Sequence, residues 1–203
     1  PLRLLEQARC HDVKLFVNAD TVLDPALNAY TLSKHQFKEW GRRFARDGKI
    51  RFTNLRLEHV FGAGDDPAKF TTHVVRTCIC NAPELKLTKG EQMRDFVYID
   101  DVVGAFSVVL ERLSEPGTGF IELDVGSGRA VSIREFVETV HRLTGATTRL
   151  EVGALSYREN EKMLSQASTA ELNALGWKCR HDLVSGLSKM ISGERKFLGV
   201  GVR

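Results

Sequence analysis

A strand-like apolar run, a long stretch of helical spacing and a second apolar run follow one another across residues 13–57, and that succession admits few folds. Residues 13–18 read as a buried parallel strand, residues 29–46 as an amphipathic helix and residues 50–57 as the next strand. Helices and strands that alternate in this way predict an α/β protein. Upstream, residues 2–9 read as the end of a helix, and Asp47-Gly48 supplies the stop after residue 46. Residues 62–67 form a Gly/Asp/Pro loop placed to cap a helix over 70–80. Beyond Pro83 the elements shorten. Ser132 is an N-cap candidate with Glu135 at the capping-box position, its helix ends near Gly145, and a last helix covers 183–191.

Near the start of the long helix stand Tyr30 and Lys34. Residues four apart share a helix face, so the Lys34 ammonium is expected beside the Tyr30 phenol, stabilising the phenolate and lowering a pKa that is normally about 10. A phenol tuned in this way suits hydride chemistry at a carbinol or ketone, where a proton must move with the hydride. The spacing alone also fits an ordinary exposed helix pair.

Longer blocks are more specific. Residues 56–62 read Arg-Leu-Glu-His-Val-Phe-Gly, residues 94–102 read Arg-Asp-Phe-Val-Tyr-Ile-Asp-Asp-Val, and Val125-Gly126-Ser127-Gly128 and Leu175-Gly176-Trp177 follow in order. With Tyr30-x-x-x-Lys34 they resemble the extended short-chain dehydrogenase/reductase family of nucleotide-sugar epimerases, dehydratases and ketoreductases. The resemblance implies the C-terminal part of a Rossmann-like doubly wound parallel sheet with a smaller mixed α/β substrate-binding lobe. Residues 1–82 would belong to the dinucleotide-binding domain and 83–203 mainly to the substrate lobe. A segment near 99–125, a helix over 102–113 and a strand over 119–124, would return to the main sheet.

The resemblance also distributes roles. Tyr30 becomes the proton donor and acceptor, Lys34 its partner at the nicotinamide ribose of NAD or NADP, and Thr21 the hydroxyl that orients the reacting oxygen. Thr21 otherwise reads as a strand-end hydroxyl capping a turn. Arg94 and Arg158 become the cations on the substrate pyrophosphate, with surface salt bridges as the plain alternative. His59 replaces an Asn that commonly touches the sugar nucleotide, so it is a candidate for cofactor and substrate contact, or a core side chain. Asp95 and Asp100 read as structural residues, capping or pairing within their turn.

Two departures bear on the reaction. The loop between Thr21 and Tyr30 is short, and Val22-Leu23 stand where the dehydratases carry an Asp-Glu acid/base pair. Dehydration is therefore disfavoured, and 4-ketoreduction of a nucleotide 4-keto-6-deoxysugar, as in abequose or paratose synthesis, is favoured over 4-epimerisation. No Gly-x-x-Gly-x-x-Gly turn occurs in the sequence. The family pattern would place such a turn, within about three βα units of ~30 residues each, ahead of Pro1. Without that half, the rival expectation is a non-catalytic fragment or binding module.

The 203 residues carry a formal net charge of +3 without a long basic run, which argues against a nucleic-acid face. No apolar stretch approaches the ~20 residues of a membrane span, so a cytoplasmic location is expected. Cys10, Cys78, Cys80 and Cys179 lack zinc-site spacing and read as reduced thiols, and no metal is expected. The helix bearing Tyr30 is one that pairs subunits in the family, so a homodimer is expected.

Overall fold

The computed structural model describes residues 1–113 and 117–200. In chain order the elements are α1 (Leu2–Cys10), β1 (Leu15–Thr21), α2 (Ala29–Ala45), β2 (Arg51–Leu57), β3 (His59–Phe61), α3 (Phe70–Ile79), β4 (Glu84–Leu87), β5 (Met93–Tyr98), α4 (Ile99–Leu113), β6 (Gly119–Val125), β7 (Ala130–Ser132), α5 (Ile133–Thr144), β8 (Arg149–Val152), β9 (Leu164–Ser165), α6 (Ala170–Ala174) and α7 (Leu183–Leu198). They gather into two compact units. The first comprises Pro1–Glu58, Val102–Val125 and Ser168–Lys178, and the second His59–Asp101, Gly126–Ala167 and the residues from Cys179 on.

In the first unit β1, β2 and β6 form a parallel sheet in the order β1-β2-β6. The register sets Phe16, Phe52 and Phe120 in one row, with their rings stacked at 5.4 and 5.9 Å. Each such side chain taken out of water contributes about 1.5–3 kcal/mol. α2 covers this row: Phe37 meets the Phe52 ring edge-on at 5.9 Å, and Gly41 lets the helix backbone approach that ring. Two residues further along each strand the row becomes Asn18, Asn54 and Glu122. Asn54 accepts from Asn18 at 2.7 Å and donates to Asp20 at 2.8 Å and Glu122 at 3.0 Å, so these polar groups under the helix are satisfied.

The second unit holds the path β3-β5-β7, with β9 also paired to β5, and a separate parallel pair β4-β8. β5 runs parallel to β3 and β9 and antiparallel to β7. Its core centres on Phe61, Phe96 and Phe136, the last two stacked at 4.3 Å. Arg76 of α3 donates to the fully buried Glu194 of α7 at 2.6 Å, and the same carboxylate accepts from Gly64 N–H at 2.7 Å.

The differences from the sequence reading have local causes. β1 runs two residues later at its start and on to Thr21, because Asn18 and Asp20 find partners across the sheet rather than in a loop. The 62–67 loop does not cap α3. The N-cap is Lys69 with no side-chain cap, while Asp66 accepts from Ala68 N–H within the loop and Asp65 pairs with Lys69 at 2.9 Å. Ser132 does cap α5, accepting from Glu135 N–H at 3.0 Å, and Gly145 ends that helix at φ 66°. α7 continues past residue 191 to Leu198, through Ser192-Gly193, because Glu194 is anchored by Arg76. Cys78 is buried and Cys80 exposed, on different faces, and all four cysteines are free.

Candidate active site

The site in the first unit is built where β1 ends and α2 begins. Asn28 caps α2 by accepting from Thr31 N–H at 3.0 Å, while Thr31 Oγ1 accepts from Asn28 N–H at 3.2 Å, a reciprocal capping box. That box sets the first turn of the helix, which carries Tyr30. Lys34 follows one turn on, its Nζ 5.7 Å from the centre of the Tyr30 ring. The ammonium donates to the carbonyl of Ala19 at 2.7 Å, two residues before Thr21 on β1. One charged bond thus ties the Tyr30/Lys34 face to the strand end that bears Thr21.

Tyr30 is 58% exposed, and its hydroxyl has no hydrogen-bond partner among the described residues. Lys34 uses one of its three N–H donors on Ala19. An exposed phenol hydroxyl with spare ammonium donors beside it can hydrogen-bond the oxygen atoms of a bound ligand. Thr21 Oγ1 accepts from Leu23 N–H at 3.2 Å, so it forms the strand-end turn that the plain reading anticipated. That bond leaves its O–H proton available to a second acceptor.

The second unit brings Arg94 and Glu161 together, next to the pairing of β5 with β9. Arg94 is 8% exposed, and its guanidinium donates to Glu161 at 2.5 Å and to the Met93 carbonyl at 2.9 Å. Arg158 is exposed, in a turn closed by Glu161 N–H donating to its carbonyl at 3.2 Å. His59 is half-buried on β3, its ring edge-on to Phe96 at 5.8 Å.

Asp95 does not pair within its own turn. Fully buried, it accepts from Ser127 N–H at 2.7 Å, Ser127 Oγ at 2.6 Å, Gly128 N–H at 2.9 Å and Ala167 N–H at 3.1 Å, clasping two distant loops. Asp100 is exposed and pairs with Lys189 at 3.3 Å. Sequence reasoning also passed over the Asn18–Asn54–Glu122 row. Its signal is present as Phe-x-Asn, Phe-x-Asn and Phe-x-Glu at 16–18, 52–54 and 120–122.

The NAD dependent epimerase/dehydratase family model matches residues 1–121, and the chain belongs to that family. A curated relative, the CDP-abequose synthase of Salmonella typhimurium, is 34% identical over 199 residues, covering 94% of this chain and 66% of the relative. The CDP-abequose synthase of Salmonella muenchen is 31% identical over 199 residues, covering 95% of this chain and 67% of its own length. This chain therefore spans about two thirds of the length of these relatives. Among solved structures, MoeE5 in complex with UDP-glucuronic acid and NAD is 26% identical with a TM-score of 0.83, covering 97% of this chain and 70% of that one. The UDP-glucose 4-epimerase of Thermotoga maritima shares the fold with a TM-score of 0.85 at 23% identity, over 97% of this chain and 68% of the other. The α/β fold with Rossmann-type relatives is the one the sequence predicts. Among the described residues no helix is long and apolar enough to cross a membrane.

Proposed function

We propose that this chain is the catalytic and substrate-binding part of an NAD(P)-dependent nucleotide-sugar oxidoreductase that reduces a nucleotide-linked 4-keto-6-deoxysugar at C4. The observation that carries the reading is the Lys34 ammonium on the Ala19 carbonyl, which couples the Tyr30/Lys34 helix face to the end of β1. The likeness to two CDP-abequose synthases over nearly the whole chain supports a ketoreductase. The absence of an acid/base pair at Val22-Leu23 further disfavours dehydration.

In this reading Tyr30 passes its phenolic proton to the C4 oxygen as that carbon becomes a carbinol, and solvent reprotonates the exposed phenolate. Lys34 supports the phenolate electrostatically and offers its free donors to the ribose of the dinucleotide. Thr21 keeps its proton and donates a hydrogen bond to the same C4 oxygen, which fixes the direction from which Tyr30 approaches. The dinucleotide, when bound, supplies the hydride.

Arg94 and Arg158 serve the substrate pyrophosphate, with Glu161 holding the Arg94 fork in place, and His59 contacts the sugar nucleotide. In the same reading residues 1–82 belong to the dinucleotide-binding domain and 83–203 mainly to the substrate lobe, with a segment near 99–125 returning to the main sheet, where β6 pairs with β2. α2 leaves Leu32 and Trp40 exposed, at 45% and 49%, which supports pairing of two copies through this helix. A cytoplasmic location belongs to the same proposal.

The test is stoichiometry in the full-length polypeptide that carries these residues, supplied with NADPH or NADH and a CDP-linked 4-keto-6-deoxysugar. Reduction consumes one reduced cofactor per sugar converted. Interconversion of C4 epimers with no net cofactor oxidation would replace this reading with a 4-epimerase, and no cofactor binding at all would leave a non-catalytic module.

A further inference from the structure

Apart from the residues given roles above, the second unit contains a concavity of about 510 Å³ with its own set of cations. Two buried carboxylates build its walls. Asp95 fixes the turn that presents Ser127 and, two residues on, Arg129. Asp101, 3% exposed, accepts from Arg180 N–H at 2.9 Å, His181 N–H at 3.1 Å and His181 Nδ1 at 3.0 Å, which fixes the segment presenting Arg180 and His181. A third wall is one face of α5, with Glu135, Thr139 and Arg142 at successive turns. Phe96, Val131 and Val184 supply apolar surface.

The charges in this concavity do not cancel. Arg129, Arg142 and Arg180 have no side-chain hydrogen bond or ion pair among the described residues. Of the two lining carboxylates, Asp182 is already committed as the N-cap of α7, accepting from Ser185 N–H at 2.8 Å and Ser185 Oγ at 2.6 Å. Those bonds, with Arg129 nearby, hold its carboxyl below the usual range. Glu135 is the other acid, so two carboxylates face three guanidiniums and the lining keeps a net positive charge. Cys179 also lines the space, and burial followed by the adjacent Asp101 pushes its thiol up to about 12, so it is present as a neutral group. Guanidinium forks held on fixed walls match phosphate oxygens in both charge and geometry.

We propose that this concavity binds a small organic phosphate, with the phosphate held by Arg129, Arg142 and Arg180 and an apolar body resting on Phe96, Val131 and Val184. It shares no residue with the Arg94/Arg158 site, and a ligand here acts apart from the substrate.

The experiment is titration of the full-length protein with phenyl phosphate by calorimetry, with inorganic phosphate and phenol as comparison probes. Saturable binding is expected, at least tenfold weaker for inorganic phosphate and lost for phenol. The double variant R142S/R180S weakens phenyl phosphate binding at least tenfold. Both side chains are exposed and Arg180 meets Asp101 through its backbone, so the fold is retained, and an unchanged circular dichroism melt verifies this. R158A binds as the parent does. The proposal is overturned if no saturable binding occurs, if R142S/R180S binds like the parent, or if R158A abolishes binding. Equal affinity for inorganic and phenyl phosphate would remove the apolar body from the assignment.

Discussion

Replacing Gly41 with Ala tests how closely α2 lies on its sheet. A Cβ built at Gly41 falls 2.3, 2.4 and 2.5 Å from three atoms of the Phe52 ring. The ring cannot step aside, because it is stacked between Phe16 and Phe120 and met edge-on by Phe37. Alanine is the better helix former in a helix interior by roughly 0.5–1 kcal/mol, whereas overpacking a filled core costs about 1–3 kcal/mol. With contacts more than an ångström inside the ~3.5–4.0 Å optimum, the steric cost wins and G41A is expected to lose about 1–2 kcal/mol. Gly104 in α4 is the internal control: its added Cβ meets Trp177 at 3.7 Å, an ordinary contact, so G104A should gain about 0.5–1 kcal/mol. Urea unfolding of both variants, with the m-value unchanged, gives the two signs. If G41A proves as stable as the parent, α2 does not lie against Phe52 as described, and the placement of Tyr30 and Lys34 falls with it.

Three further outcomes are expected. Tyr30→Phe should lower kcat about a hundredfold or more while leaving the melt unchanged, since the hydroxyl is exposed and unpartnered among the described residues. Arg158→Ala should raise the KM for the nucleotide sugar several-fold with kcat retained; an unchanged KM would remove Arg158 from the substrate site. Native alkylation at pH 8 should modify the exposed Cys10 and Cys80 and spare Cys78 and Cys179, whose thiols burial pushes up to about 11 and about 12. Because those folded values lie above the ordinary 9.0, the folded state keeps the two protons to higher pH. The stability they contribute is intact below about pH 9 and is lost as pH rises through 9 toward 11 and 12, which urea midpoints between pH 8 and 11 should record.

What could be read without coordinates was whatever local chemistry encodes. The helical spacing of residues 29–46 put Tyr30 and Lys34 on one face, and α2 occupies Ala29–Ala45. Gly145 announced the end of α5 because a left-handed residue there favours glycine. Partners distant in sequence left weaker marks. Asp95 looked like a turn residue, yet it holds loops 32 and 72 residues away, and nothing adjacent to it in sequence encodes that. The end of β1 beyond Asn18 looked like loop because the Asn54–Asp20 bond that permits Asp20 in a sheet spans 34 residues. The last helix was read over 183–191, and it runs on to Leu198 because Arg76, far upstream, holds Glu194. Arg94 lay in between: it was singled out, but its partner Glu161 was not, since the two are 67 residues apart and meet only in the fold, next to the β5–β9 pairing.

The most direct test of the central claim is the fate of a deuteride. Full-length protein is given NADPH or NADH deuterated at the transferable position and a CDP-linked 4-keto-6-deoxysugar, and the product is read by mass spectrometry and NMR. Tyr30, Lys34 and Thr21 acting as a ketoreductase site predict one deuterium at C4 of the sugar, with one cofactor oxidised per product and the yield collapsing in Tyr30→Phe. Product without deuterium at C4, or full yield from Tyr30→Phe, would contradict it.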